Sequence, residues 1–488
     1  MSKFNQTNTN KTVNKSGHVA YSMKDKELLV TQVLTTFFNE SKFYGDNSKK
    51  LVETAERVAN KEPSFVSNLA AYARKEFHLR SVAHVLTCIV ANVVESKPFI
   101  RRTVDAVVER ADDLTEILAC YISMYGKPIP NGLKKALGAN LKRFNEFQLS
   151  KYNGGQKSVK FKDILRLTHV KPDNKEQEEL FKKVLEDNLE TATRWETELS
   201  TKGNTTETWE GLIDNNQLGY MALIRNLRNI LQANLSKERM NKVCEILSDS
   251  NKVAKSKLLP FRFYSAYKEV AKLTQCSSKI IDALGEAIEH SVSNIEGFKG
   301  KTLIAIDASG SMDVKVSSNS DTDCYEIASL LGVIAAHLAE ENIVVLFRDV
   351  GGWFERKPKI EKVNISRYGN MLEQVKGLPD IGGGTPMEAP FVWAIENKIN
   401  VDRIIVLSDN EVNSKTSTIQ SYFDKYKREV NENTYLHAID LQGYGTQQFM
   451  GKNVNIIAGW SEKVLEFISL VEEGLDNQVK RIENYLNA

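Results

Sequence analysis

Long apolar runs are missing from this chain: nowhere in its 488 residues do eighteen apolar side chains stand together, which leaves no transmembrane helix to place. The first twenty residues, rich in Asn, Thr, Lys and Ser, hold no apolar stretch that would serve as a signal peptide. They are expected to form a disordered tail, 1–20, and the protein is expected to be soluble and cytoplasmic. Cysteine is scarce. Cys88, Cys120, Cys244, Cys276 and Cys324 are odd in number and far apart, which excludes a disulfide framework, a zinc ribbon and a redox dithiol. They read as reduced, mostly buried thiols. An excess of one charge is also lacking. The 65 basic residues face 63 acidic ones, so any affinity for a polyanion has to come from local clustering. What the chain does have is length and 41% hydrophobic residues, enough for at least two cores.

Two textures divide it. From about residue 22 to 295 the pattern is helical, with apolar residues at three- and four-residue spacing in "LVETAERVANK", "FVSNLAAYARKEF", "SVAHVLTCIVANVV" and "TVDAVVERADDLTEILACYIS". Breaks at "SKPF", "YGKPIPNG" and "YNGGQ" end these short helices, and antiparallel helix pairs follow. No strict repeat survives counting, so a HEAT-like stack rests on texture alone. From about 297 onward, short β-branched runs alternate with helical ones: "TLIAI", "IVVLF", "RIIVLS", "YLHAID" and "VNIIAG". Such alternation, with fully apolar strands, predicts a doubly wound parallel sheet covered on both faces. In sheets of that kind the ligand site lies beyond the carboxyl ends of the strands.

One of those ends is "KTLIAIDASGSMD", residues 301–313. An apolar strand runs into Asp307, Ser309 and Ser311, whose alternate spacing points three oxygen donors the same way. Two further strand-end loops offer matching groups: "GGGTP" presents Thr385, and "LSDNE" presents Asp409. All five are hard oxygen donors without Cys or His, a set suited to Mg²⁺, or to Mn²⁺, better than to zinc. The competing account is that the serines only cap the next helix and that Asp409 only ends a strand. Enzyme motifs do not fit. No G-x-S-x-G surrounds either serine, and "GGGTP" lacks the lysine of a phosphate-binding loop. An EF-hand loop would need a glutamate where Ser318 stands.

The same set, DxSxS followed by Thr and Asp in later loops, resembles the metal-ion-dependent adhesion site of the von Willebrand factor A family. That resemblance implies that Ser309, Ser311 and Thr385 ligate the metal directly, and that Asp307 and Asp409 act mainly through its waters.

Within 134–171 the chain concentrates Lys142, Arg143, Lys151, Lys157, Lys160, Lys162, Arg166 and Lys171, interleaved with Phe144, Phe147, Tyr152 and Phe161 around a flexible Asn153-Gly154-Gly155. Basic side chains hold phosphates and exposed aromatics stack on unpaired bases, so this is a candidate nucleic-acid surface. A solvated helix face with its aromatics turned inward is the alternative. The words "YGKPIPNGLKKALGANLKRF", "SVKFKDILRLTHVKP", "LGYMALIRNLRNI" and "LLPFRFYSAYKEV" resemble the landmarks of the TROVE domain of the Ro ribonucleoprotein autoantigen family. In that family a von Willebrand A domain follows directly, as "GKTLIAIDASGSM" does here.

The resemblance implies a TROVE domain over 21–296, a ring of HEAT-like α-helical repeats, and a von Willebrand A domain over 297–488. It implies a monomeric RNA-binding scaffold, and no enzyme. Such a scaffold binds small structured Y-type RNAs on its outer edge and the single-stranded 3′ ends of misfolded RNAs in its hole, with an exoribonuclease as a partner in some relatives. Phosphate contacts then fall to Lys142, Arg143, Lys151, Lys157, Lys160, Lys162 and Lys171, with Arg166 and His169 beside them. Arg74, Lys75, His78 and Arg80 would line the inner side. The other function left open is an adaptor that captures an acidic group of a partner protein through the metal; it would need Asp307 and Asp409 but not the lysines. A metal-dependent nuclease fits less well, because one ion with hydroxyl ligands brings neither a second metal nor a general base.

Overall fold

The structure, a computed structural model, describes residues 11–13, 19–21, 24–35, 47–93, 97–153, 157–190, 195–315, 322–351, 357–410, 416–442, 449–451, 453–458, 463–472 and 474–486. Most of the tail expected to lack structure lies outside these. Within it, strand β1 (Lys11–Val13) pairs antiparallel with β2 (Val19–Tyr21). The chain divides into two compact units, one of residues 24–192 with 473–488, the other of 1–23 with 193–472. This division differs from the expected boundary at 296/297. It puts the last helical stretch before the sheet with the sheet, and the final helix with the first ones.

The first unit contains helices α1 (Asp25–Thr35), α2 (Asn47–Lys61), α3 (Pro63–Lys75), α4 (Ser81–Asn92), α5 (Lys97–Val107), α6 (Ala111–Tyr125), α7 (Asn131–Leu141), α8 (Glu146–Ser150), α9 (Phe161–Thr168) and α10 (Lys175–Leu185). Contacts skip by two along the chain, α1 to α3 to α5 to α7 to α9 in one layer and α2 to α4 to α6 in the other. Stacked helical hairpins have this arrangement. The stretch "TVDAVVERADDLTEILACYIS" is broken between α5 and α6 by Asp113, whose carboxylate accepts the Arg110 N–H at 2.8 Å and the Glu109 N–H at 3.0 Å. Satisfying the free donors of a helix start favours the break over one long helix.

In the second unit, α11 (Trp195–Lys202), α12 (Thr206–Asp214), α13 (Tyr220–Gln232), α14 (Lys237–Ser248), α15 (Ser250–Ser256), α16 (Pro260–Val270) and α17 (Ser278–Val292) lead into a sheet. Its strands are β3 (Phe298–Asp307), β4 (Ala339–Val350), β5 (Lys357–Val363), β6 (Arg403–Ser408), β7 (Tyr435–Asp440) and β8 (Val454–Ala458), in the order β5-β4-β3-β6-β7-β8. The remaining helices of this unit are α18 (Cys324–Leu338), α19 (Met371–Lys376), α20 (Ala389–Glu396), α21 (Thr416–Glu429) and α22 (Lys463–Glu472). All pairings are parallel except β4 with β5, so the sheet is mixed, with an antiparallel edge. The sequence "KPKIEKV" hides that edge strand because its charges face solvent, as edge strands require.

Leu303 and Ala305 face one side of the sheet, in a core with Phe391, Phe423 and Phe449. Ile306 faces the other, where it touches Gly332 of α18. The three phenylalanine rings meet edge to face at 5.4, 5.4 and 6.0 Å. Truncating Phe391 there would cost roughly 3–5 kcal/mol. Helix α16 is fixed to α18 by Tyr264 and Lys268, which bond Glu326 at 2.7 and 2.6 Å.

Helix α23 (Leu475–Glu483) belongs to the first unit and packs on α1 and α3. Asn68 donates to the Glu483 carbonyl at 2.5 Å, Lys26 bonds the Glu483 carboxylate at 2.7 Å, and the Tyr72 and Tyr485 rings meet edge to face at 5.2 Å.

Candidate metal centre and candidate nucleic-acid interface

Strand β3 carries Asp307 to the carboxyl end of the sheet, and the next strand in register ends in Ser408 and Asp409. Asp307, Ser309, Thr385 and Asp409 are buried, and Ser311 is half-buried. Asp307 accepts the Ser309 N–H at 2.9 Å and the Ser408 hydroxyl at 2.6 Å, and the hydroxyls of Ser309 and Ser311 lie 3.1 Å apart. The "GGGTP" loop is stitched to this turn: Gly310 N–H donates to the Gly383 carbonyl at 3.0 Å, and Gly382 N–H to the Ala308 carbonyl at 2.9 Å. Only glycine fits at 383. Its φ is +79°, and a Cβ there would lie 1.9 Å from the Asp349 carbonyl oxygen.

The serines do not serve as caps. Ser309 precedes the short 3₁₀ turn Gly310–Asp313 without a side-chain bond to it, and α18 is capped by Asp323, which accepts the Glu326 N–H at 2.8 Å. Burial first, and the charge of Asp409 second, push the Asp307 carboxyl up to about 7. Two buried carboxylates that disfavour each other's charge, with hydroxyls beside them, are the donor chemistry a hard divalent cation relieves. The five residues therefore fit the ion. Two neighbours went unremarked in the sequence. Ser408 sits inside "LSDNE", and Asp440, buried at the end of β7, repeats the strand-ending aspartate of Asp307 and Asp409.

The basic segment lies entirely in the first unit. Lys142 caps the end of α7 and pairs with Asp173. Arg143 is exposed, its guanidinium steadied by Asn140 at 2.6 Å. Lys162 pairs with Asp187. Lys160 starts α9 and gives its N–H to Asp163 at 2.8 Å. Arg166, His169 and Lys171 are exposed at the end of that helix and beyond it, and His169 adopts the left-handed conformation of a C-cap at φ 48°. Tyr152 gathers cations: Arg110, Lys151 and Lys157 lie 4.8, 5.3 and 6.0 Å from its ring centre. Arg110 was out of view in the sequence because it stands on the preceding hairpin.

Of the aromatics, Phe144 and Phe161 are buried, as the inward-turned alternative has them, whereas Phe147 is 61% exposed. Gly154 and Gly155 lie outside the described residues.

The residues expected to line a hole separate into two kinds. Lys75 and His78 are exposed. Arg74 is buried, bonded to the Val107 carbonyl at 3.1 Å and to Glu109 at 3.0 Å, and Arg80 reaches Asp112 at 2.7 Å and Asp113 at 2.5 Å. His84 completes the set at 3.1 Å from Asp113. Burial alone would raise the Asp113 carboxyl, but the His84 bond and the Arg80 charge hold it well below the usual carboxylate range. These two arginines hold α3 and α4 to α6.

Residues 18–194 and 187–296 match the family model of the TROVE domain, and residues 301–469 match that of the Ro60 vWA domain. Among curated proteins, telomerase protein component 1 of Rattus norvegicus is 24% identical over 304 residues, 45% of this chain and 12% of that protein. RNA-binding protein RO60 of Caenorhabditis elegans is 29% identical over 223 residues, 43% of this chain and 33% of that protein. The match thus spans a minor part of each relative's length. The solved structure of the Deinococcus radiodurans Ro (RSR) protein shares the fold, with a TM-score of 0.65 over 94% of this chain and 99% of that one, at 16% identity. Among the described residues, no helix is long and apolar enough to cross a membrane.

Proposed function

Because the chain belongs to the TROVE-domain family, with a Ro60-type von Willebrand A domain as its second part, we propose that it is an RNA-binding scaffold whose helical unit grips small structured RNA. The observation that carries this reading is the grouping of Arg110, Lys151 and Lys157 around Tyr152, with exposed Arg143, Arg166, His169 and Lys171 on the same short segment. Cations fixed on an aromatic ring meet phosphates with little left to order, and charge alone suits an A-form backbone recognised by shape. The RNAs are Y-type RNAs and the 3′ ends of misfolded RNAs, and the work is quality control or processing in the cytoplasm by a monomer without catalysis of its own.

The metal end of the sheet serves a protein partner, an exoribonuclease or another. Asp307, Ser309, Ser311, Thr385 and Asp409 would hold Mg²⁺, or Mn²⁺, and the ion when bound offers a coordination position to an acidic side chain. Ser408 keeps Asp307 aimed, and the Gly383 contact holds the threonine loop against the serine turn. An adaptor built on this centre alone is the second reading, favoured by the serine hydroxyls left unused as caps.

The test is an anisotropy titration of a structured RNA carrying a single-stranded 3′ tail against its blunt twin, at two salt concentrations. Salt-sensitive binding, tighter for the tailed RNA, is the expected result. No binding of either would leave the adaptor reading in possession.

A further inference from the structure

Spacing along the chain excluded a redox dithiol, but helix packing brings two thiols together. Cys88 lies on α4 and Cys120 on α6, helices that pack on each other within the first unit, and the two side chains hydrogen-bond sulfur to sulfur. They are not equivalent. Cys88 is fully buried, with its Sγ 3.4 Å from the Ile117 carbonyl oxygen on α6. Cys120 is half-buried and lines a cavity of about 740 Å³, with His84, Ser123, Met124 and Tyr125 around it. Both carboxylates of that cavity are engaged, Glu56 by the Tyr125 hydroxyl at 2.7 Å and Glu116 by Arg80 at 3.1 Å. The bond from Cys88 holds the Cys120 thiol below its ordinary range although burial opposes it, whereas burial above all pushes Cys88 up. The reachable sulfur is therefore the one that ionises more readily.

A thiolate is the nucleophile of sulfur chemistry, and an accessible one beside a second thiol can capture a peroxide and then be resolved by its neighbour. We propose that Cys88 and Cys120 are a modification site, at which a hydroperoxide converts the two thiols into one disulfide joining α4 to α6. The Cys120 thiolate attacks a peroxide oxygen; the O–O bond breaks, hydroxide leaves with the proton that Cys120 shed, and the sulfur becomes a sulfenic acid. The Cys88 sulfur then attacks that sulfur. The S–S bond forms as the S–O bond breaks, and the departing hydroxide takes the Cys88 proton as a second water. Two thiols have lost two electrons, and the peroxide has gained them. Because the sulfurs already touch, the bond asks for little movement of the backbone. Cys276 is the internal control: it is also half-buried, but its thiol faces the Ser277 carbonyl at 3.9 Å and burial pushes it up.

The experiment treats the full chain, reduced and then freed of reductant, with hydrogen peroxide, alkylates it in denaturant with iodoacetamide and maps the peptides by mass spectrometry. Two of the five thiols should be lost to alkylation together, in one cross-linked peptide that holds Cys88 and Cys120. That loss should run about tenfold faster than any modification of Cys276. Dithiothreitol should restore both thiols. In Cys88→Ala, dimedone should trap Cys120 as the sulfenic acid, and in Cys120→Ala peroxide should leave Cys88 open to alkylation. Oxidation of Cys120 no faster than that of Cys276, a cross-link between chains only, or as much trapped sulfenic acid in wild type as in Cys88→Ala would overturn the proposal. Should either variant fail to fold, the wild-type map decides the matter by itself.

Discussion

The hydroxyl of Ser408 donates to Asp307 across two adjacent parallel strands at 2.6 Å, so the acid that opens the serine turn is oriented by the strand that ends in Asp409. Three segments far apart in sequence thereby become one centre. The arrangement carries two buried carboxylates in mutual disfavour, a cost that a bound cation would relieve.

Millimolar Mg²⁺ should therefore raise the melting temperature of the wild type relative to EDTA. An ion at a hundred times its dissociation constant adds about 2.7 kcal/mol. Asp409→Asn should lose this response and, in EDTA, melt no lower than wild type because the like-charge pair is gone. Identical melting of wild type in Mg²⁺ and EDTA would count against the centre.

RNA affinity should follow the lysines and not the metal. Replacing Lys142, Arg143, Lys157 and Lys160 with alanine should weaken binding and reduce the log–log salt slope by about 3, close to one per lost phosphate contact. Asp187→Asn should tighten binding about twofold by releasing Lys162 from its partner. Asp307→Ala should leave affinity where it was; loss of RNA binding in a folded Asp307→Ala protein would show the division of labour to be wrong.

Asp113 is fully buried between Arg74, Arg80 and His84. Its replacement by alanine takes a buried counter-charge from Arg74 and Arg80 and should cost roughly 3–5 kcal/mol in chemical denaturation. If Arg80 instead contacts RNA, Arg80→Ala will flatten the salt dependence of binding at unchanged stability, which is the opposite of what this network requires.

Two groups of the second unit lose stabilising contributions as pH falls, in separate windows, while Asp307, held up at about 7, gains one over the first of them. Burial, with the charge of Arg367 adding to it, lowers His337 to about 4 from an ordinary 6.5. Between those values the unfolded chain binds the proton at this site and the folded chain does not, so the contribution of His337 falls by about 2 kcal/mol as pH drops from 6.5 toward 4, after allowance for solvent. Burial would raise Glu472, but Arg403 at 2.7 Å and His437 at 3.0 Å outweigh it and hold the carboxylate at about 2. Its contribution is present above the unfolded value of 4.5 and is lost as pH falls through 4.5 to 2. The first contribution is read as the difference between pH series of denaturant midpoints for wild type and His337→Gln, which should narrow from pH 6.5 toward 4, and the second from the same difference for Glu472→Gln below 4.5.

The acids and serines gathered at the carboxyl end of the sheet could be read from the sequence because strand-ending acids and spaced serines are local signals. The helical hairpins were legible too, since apolar spacing reports a buried face without reference to what covers it. Edge strand β5 was not, because solvent-facing charge erases the apolar signature that marks a strand. The acidic partners of Lys142 and Lys162, Asp173 and Asp187, stand just before and just after α10, where no local pattern announces them. Counting charge between 134 and 171 therefore overstated how much of it is unengaged. The roles of Arg74 and Arg80 were hidden for the same reason, since their partners lie on the next hairpin.

Helix α23 has a consequence for the order of synthesis. A ribosome finishes α3 long before it makes the residues that Asn68 and Tyr72 hold, and the whole A domain comes between. Until residues 475–483 emerge, the surface of α1 and α3 that α23 covers has no native partner. The N-terminal unit is thus begun first and completed last. A nascent chain arrested before α23 should remain sensitive to protease near α1 and α3 even when its sheet has already become resistant.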